Sequence, residues 1–318
     1  MRTHTPLRFV LVALAACGSD AASPTLDGGT TDGNVTQDAP ATPDAGVDAS
    51  PPPTCSGLTL GPTGTLASES VVVGGGSRTY VLVVPKSASA VSALPIVFVF
   101  HGDGGTGAGV RAQLALEAPA GDGAIFVYPN GVQRADGWWD LDKPATTNPD
   151  IAFFDAMLAT LKTRYCVDAK RVFVTGFSRG GFFTNHLGCH RGDVLRAIAP
   201  QSGGGPYAAP GGYNADGQLV CPTPPVPALI IHGNADGTVK NDPKAPEGGW
   251  QAFYHWAYWN HAAPRATYDF ATEASTPVPC LKAKGVDAPV IQCFIDGLDH
   301  AAWSEEAKVV WGFFASLK

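Results

Sequence analysis

Arg171-Val-Phe-Val-Thr-Gly-Phe-Ser178-Arg-Gly-Gly181 decides the fold: an apolar run that ends in a serine between two glycines. Val172, Phe173 and Val174 read as a buried β-strand, and Gly176 and Gly180 stand two residues to either side of Ser178. In a tight strand-to-helix turn a side chain at either flanking position would clash with the neighbouring strand or helix, and glycine removes that clash. Arg179 to His190 then reads as a helix. Its N-terminus faces the serine, where free backbone N–H groups can meet developing negative charge. The pattern makes Ser178 a candidate nucleophile.

Working outward, period and punctuation predict strands over Ser70–Val73, Thr79–Val84, Ile96–Phe100, Ala124–Tyr128, Arg171–Thr175, Arg196–Ala199, Ala228–Ile231 and Val290–Ile295. The first two are joined by Gly74-Gly-Gly-Ser-Arg78 and read as an antiparallel hairpin. The later ones are continuous apolar runs, which imply strands covered on both faces. Asp150 to Tyr165 has helical period, with Ile151, Phe154, Met157, Leu158 and Leu161 on one stripe. Alternating strands and helices predict an α/β fold with a mostly parallel central sheet and helices on both faces.

The 318 residues are 45% hydrophobic and 15% charged, ample for one large core. Arg2 and Arg8 precede the apolar run Phe9 to Ala16, which is too short to span a bilayer and reads as a secretory signal. Leu14-Ala15-Ala16-Cys17 is similar to a bacterial lipobox, so residues 1–16 are expected to be a lipoprotein-type leader and Cys17 the lipidated residue. A plain signal peptide cleaved nearby is the alternative. From Gly18 to Thr54 almost no large apolar residue occurs, so 17–54 is expected to be a disordered tether and 55–318 the folded domain. The only membrane contact expected is the lipid at Cys17, and the chain is expected to be exported and monomeric. With six aspartates and two arginines before Cys55, the remainder carries −3 of the chain's formal −7. No concentration of Lys and Arg replaces phosphate counterions, which excludes nucleic acid as a partner.

A nucleophilic serine needs a base, an orienter for that base, and N–H donors for the oxyanion. His232-Gly-Asn-Ala-Asp236 follows the strand ending at Ile231, and places a carboxylate on the loop beyond it. Gly297-Leu-Asp-His300 follows the last predicted strand. We expect Asp236 as orienter and His300 as base, in the chain order Ser, acid, His of α/β-hydrolases. Asp299 is the rival acid, and His232 and His101 are rival bases. Both histidines precede glycine in strand-exit turns, where a structural hydrogen bond is the commoner use. The loop Phe100-His-Gly-Asp-Gly-Gly105 is suited to an oxyanion hole, with the N–H groups of Asp103 and Arg179 as donors. An Asp103–Arg179 ion pair would brace it; two solvated, uncoupled charges are the alternative. Trp138, Trp139 and Trp303 are candidates to line a substrate cleft, with packing the alternative for Trp139.

Apart from Cys17, six cysteines remain, an even number in a disulfide-permissive chain. None has metal-ligand spacing. Cys280 and Cys293 flank what resembles a hairpin connection, and Cys166 and Cys189 are expected at one edge of the sheet; both pairings are open, as is a reduced state.

Phe100-His-Gly-Asp-Gly-Gly, Ile125-Phe-Val-Tyr-Pro-Asn-Gly131, Gly137-Trp-Trp-Asp140, Asp150-Ile-Ala-Phe-Phe-Asp155, Tyr165-Cys-Val-Asp168, the Ser178 segment and Arg196-Ala-Ile-Ala-Pro200 together resemble the secreted feruloyl esterase and poly(3-hydroxybutyrate) depolymerase family. The resemblance runs from about Thr79 to Lys318. It implies an α/β-hydrolase fold and carboxylic-ester hydrolysis by Ser178, Asp236 and His300, with no metal or organic cofactor. Feruloyl or acetyl esters of plant polysaccharide, or a polyester, are the implied substrates, in either case polymeric. Relatives commonly carry a cysteine where Asp103 stands, so any family disulfide there is absent. A surface binding protein that kept the fold but lost the chemistry would lack a triad member, and none is missing.

Overall fold

Apolar strands that alternate their side chains between two helix layers account for the architecture. The computed structural model describes residues 54–135, 137–207, 219–245, 247–260, 270–273 and 280–317, all within one compact unit that begins at Ser50. The leader, Cys17 and nearly all of the tether lie outside them.

The strands are β1 (Gly64–Val73), β2 (Gly76–Val84), β3 (Leu94–Phe100), β4 (Ile125–Pro129), β5 (Val167–Phe177), β6 (Ala197–Gln201), β7 (Ala228–Gly233), β8 (Phe270–Glu273), β9 (Cys280–Ala283) and β10 (Val290–Ile295). The helices are α1 (Gly107–Leu114), α2 (Glu117–Ala120), α3 (Pro149–Arg164), α4 (Arg179–His190), α5 (Gly249–Trp259) and α6 (Glu306–Ser316). They build one sheet in the order β1-β2-β4-β3-β5-β6-β7-β10-β9-β8. The six strands from β4 to β10 are parallel to their neighbours, while β1, β2, β9 and β8 add antiparallel edges.

Strand period explains the two layers. Ile96, Phe98 and Phe100 face α3, α4 and α5, whereas Val97 and Val99 face α1, α2 and α6. On β5, Val172 and Val174 belong to the first layer and Phe173 to the second, where it stacks on Phe314 of α6. Two caps fix helix starts. Asn148 accepts from the N–H groups of Asp150 and Ile151 ahead of Pro149, and Thr106 accepts from Gly109.

The predicted strands all occur, most of them longer than expected. β5 begins at Val167 rather than Arg171, because a register shift against β3 between Leu94 and Ile96 absorbs the polar stretch. There Asp168 accepts from the Lys170 N–H and the Arg171 guanidinium. β8 and β9 are not among the predicted strands: Phe-Ala-Thr-Glu is a four-residue strand at the sheet edge and Cys-Leu-Lys-Ala, between it and β10, is equally short, both without a continuous apolar run.

Three disulfides join Cys55 to Cys166, Cys189 to Cys221, and Cys280 to Cys293. The last links the antiparallel neighbours β9 and β10, as their hairpin arrangement predicts. The Cys166–Cys189 pairing is corrected. Cys166 lies beside the segment entering β3, where its carbonyl accepts from Leu94, and the chain at Cys55 is tied there through Ala90. The end of α4 instead meets the 219–223 segment, where Thr223 donates to the Cys189 carbonyl. Three disulfides fit a chain folded in an oxidising compartment. Among the described residues no helix is long and apolar enough to cross a membrane.

Candidate active site

Ser178 stands between the C-terminal end of β5 and the first residue of α4 with φ 55° and ψ −123°. An L-residue at this φ is strained, and persists only where its surroundings over-determine it. Two glycines do so here: a methyl on Gly180 would run into the Phe100 carbonyl, and one on Gly176 would press on the carbonyls of Gly180 and Phe100. The serine is therefore presented at the parallel sheet's C-terminal edge.

The loops after β7 and β10 reach the same edge. His300 Nε2 lies 2.9 Å from Ser178 Oγ, and its Nδ1 lies 2.7 Å from Asp236 Oδ2. Asp236 is buried, and its Oδ1 accepts from the N–H groups of Thr238 (2.9 Å) and Val239 (2.8 Å). A carboxylate so held leaves its second oxygen for the imidazole, which fixes the proton on Nδ1 and leaves Nε2 able to accept from the serine hydroxyl. The rival acid does other work. Asp299 Oδ1 accepts from the N–H groups of Gly237 (3.0 Å) and His300 (2.8 Å), which ties the two loops together and holds its carboxyl below the usual range.

The rival bases point elsewhere as well. His232 is fully buried, with Nε2 2.8 Å from the Val239 carbonyl and 3.2 Å from Asp236 Oδ2. Burial lowers its pKa, so it supports the Asp236 loop as a neutral ring. His101 Nε2 accepts from the Gly131 N–H at 2.8 Å, and its Nδ1 lies 2.7 Å from the Gly102 carbonyl. Burial lowers its pKa too.

Gly102 lies against the nucleophile: a methyl there would approach Ser178 Cβ at 3.0 Å. Arg179 opens α4, so its N–H has no carbonyl one turn back within the helix. The Asp103 and Arg179 side chains do meet, at 3.7 Å, with 53% and 18% exposed. Their closer contacts are to the tryptophan pair. Asp103 Oδ1 accepts from the Trp138 N–H and Arg179 Nε donates to the Trp139 carbonyl, both at 3.0 Å.

Trp139 does not line a cleft. It is fully buried, stacked on Phe183 with centroids 5.3 Å apart, and its indole N–H donates to the His101 carbonyl at 2.8 Å. Trp138 is partly buried and meets the His101 ring edge-on at 5.8 Å. Trp303 packs against the α6 layer, its N–H bonded to Glu306.

Sequence reasoning missed the support behind this loop. Buried Asp150 accepts from Arg78, Arg134 and the Asp140 N–H, at 2.8 to 2.9 Å each. Arg134 also donates to the Trp138 carbonyl, and Arg78 to that of Asn130. One carboxylate at the start of α3 thus ties together Asn130, Arg134, Trp138 and Asp140; the two arginines keep its charge partnered. The repeated charged positions were visible in the sequence, but nothing local joined them. Among the described residues no group of three or more His, Cys, Asp or Glu side chains could hold a metal ion.

No protein-family model matches the chain. It is 33% identical to Feruloyl esterase C of Emericella nidulans over 178 residues, covering 54% of this chain and 57% of that protein. With Feruloyl esterase B of Piromyces equi it shares 27% identity over 164 residues, 51% of this chain and 30% of that one. The chain thus spans little more than half the length of the Emericella relative. Among solved structures, an acetyl xylan esterase from Aspergillus awamori superposes with a TM-score of 0.57 at 21% identity, covering 78% of this chain and all of that one. The fold is that of the α/β-hydrolases.

Proposed function

We propose that this chain, a homologue of feruloyl esterases with the α/β-hydrolase fold, is a serine carboxylic-ester hydrolase acting on feruloyl or acetyl esters of plant polysaccharide. One observation carries the proposal: the hydrogen-bonded series Ser178 Oγ, His300, Asp236, with the serine at a strained positive φ. A serine that merely closed a loop would need neither an oriented imidazole nor strain.

In the proposed reaction Ser178 Oγ attacks the ester carbonyl while His300 Nε2 takes its proton, and Asp236 stabilises the imidazolium. The N–H groups of Arg179 and Asp103 are assigned to the tetrahedral oxyanion. His300 then protonates the departing alcohol. Water, activated by the same imidazole, releases the acid from Ser178.

Hydrolysis of a short chromogenic ester by the wild type, with Ser178→Ala folded and inactive, is the expected result. An inert wild type, or an active Ser178→Ala variant, would refute it. Methyl ferulate and acetylated xylan should then be cleaved in preference to poly(3-hydroxybutyrate); the reverse order would make the chain a polyester depolymerase.

Residues 1–16 are assigned as leader, Cys17 as the site of lipid attachment, 17–54 as tether and 55–318 as the catalytic domain. The apolar run before Cys17 and the composition after it support this. Cys17→Ser should move the protein from the membrane fraction to the soluble one, and an unchanged partition counts against the anchor.

A further inference from the structure

The His101 ring sits between two backbone groups of opposite character. The Gly131 N–H can only donate, so the Nε2 that receives it at 2.8 Å carries no proton. The proton is therefore on Nδ1, which donates to the Gly102 carbonyl at 2.7 Å. That carbonyl also accepts from the Gly105 N–H at 3.0 Å. In a planar trans peptide the N–H points opposite to the C=O. Two donors on the Gly102 carbonyl thus fix the direction of the Asp103 N–H, in a loop whose Gly102 lies against Ser178. The preceding peptide is fixed likewise, by the Trp139 indole on the His101 carbonyl.

We propose that His101 is a positioning residue for the oxyanion hole: its single tautomer, set by Gly131, locks the Gly102–Asp103 peptide plane and so aims the Asp103 N–H at the developing oxyanion. This rests on the hydrolase function proposed above. A free loop with three glycines in four residues, Gly102, Gly104 and Gly105, could rotate that peptide at little steric cost. Preorganised donors contribute most where they need not reorient during the reaction. Burial keeps the ring neutral, and an imidazolium would set two N–H groups against each other at Gly131.

The test compares His101→Leu, which removes both ring contacts, with His101→Asn, whose amide nitrogen stands near the Nδ1 position. With the short chromogenic ester, His101→Leu should lose about 10- to 100-fold in kcat with KM within about twofold. A boronic acid that forms a tetrahedral adduct on Ser178 should bind more weakly by a similar factor. His101→Asn should recover most of the loss. If His101→Leu is insoluble, His101→Asn should exceed His101→Gln, whose amide nitrogen falls near Nε2. The proposal is overturned if His101→Leu keeps wild-type kcat, if Asn and Leu are equally impaired, or if Gln matches or exceeds Asn. An inert wild type would instead remove the hydrolase function itself.

Discussion

Asp103 and Arg179 face each other at 3.7 Å, yet each is bonded more closely to the backbone of the tryptophan pair, Asp103 to the Trp138 N–H and Arg179 to the Trp139 carbonyl. An exposed pair at that distance contributes about 0–1 kcal/mol. The useful property of Asp103 is then its acceptor oxygen. Asp103→Asn keeps that oxygen and should retain kcat within about twofold, whereas Asp103→Ala should lose about fivefold through a misplaced loop. Steady-state kinetics of both variants, with thermal melts, decide it: equal losses would return the role to charge.

Two acids flank His300, and their contacts assign them different tasks. Asp236 Oδ2 holds His300 Nδ1, while Asp299 binds only backbone N–H groups among its hydrogen bonds. Asp236→Asn should lower kcat by about 10⁴-fold by presenting the wrong tautomer. Asp299→Asn, at an exposed position, should stay within about threefold. Reversed magnitudes in ester hydrolysis would exchange the two roles.

Gly180 meets the Phe100 carbonyl of β3, a backbone atom that cannot turn aside. Gly180→Ala should therefore destabilise the fold by about 3 kcal/mol, as overpacking against a fixed neighbour does. Urea unfolding measures this. Wild-type stability in the variant would mean that the turn has more room than its geometry implies.

The elements that place the site were legible because their signals are local. The run Val172 to Val174 marks a strand, Gly176 and Gly180 mark a turn, and His300 follows the last apolar run. What stayed hidden depends on contacts across long separations. Arg78 and Asp150 are 72 residues apart and meet only once the sheet has formed. In the sequence Trp139 is open to either a cleft or a packing role; its burial comes with stacking on Phe183 of α4, which no spacing in the 138–140 segment encodes. Strands β8 and β9 escaped notice because each is only four residues long and carries no continuous apolar run.

The disulfides close loops of very different length, with sequence separations of 111 for Cys55–Cys166 and 13 for Cys280–Cys293. If restriction of the unfolded chain governs their effect, removing the first costs about 4.7 kcal/mol and the second about 3 kcal/mol. Paired serine variants compared by denaturant unfolding should show that order. Equal losses would point to local packing as the main term.

Among the described residues Glu306 is the one carboxyl whose pKa is raised far, to about 8, because burial disfavours its charged form. Its Oε2 accepts from the Trp303 N–H, which only partly offsets that burial. An acid with a folded pKa above its unfolded one favours folding most when it is protonated in both states. Its contribution is therefore complete below about 4.5, falls as pH rises, and is lost by about 8. Glu306→Gln keeps an acceptor for Trp303 but cannot ionise. Its Tm relative to wild type should rise between pH 5 and pH 8.5 by about 5 °C or more. A Tm difference that does not change with pH would mean that Glu306 ionises in the folded protein as it does in the unfolded chain.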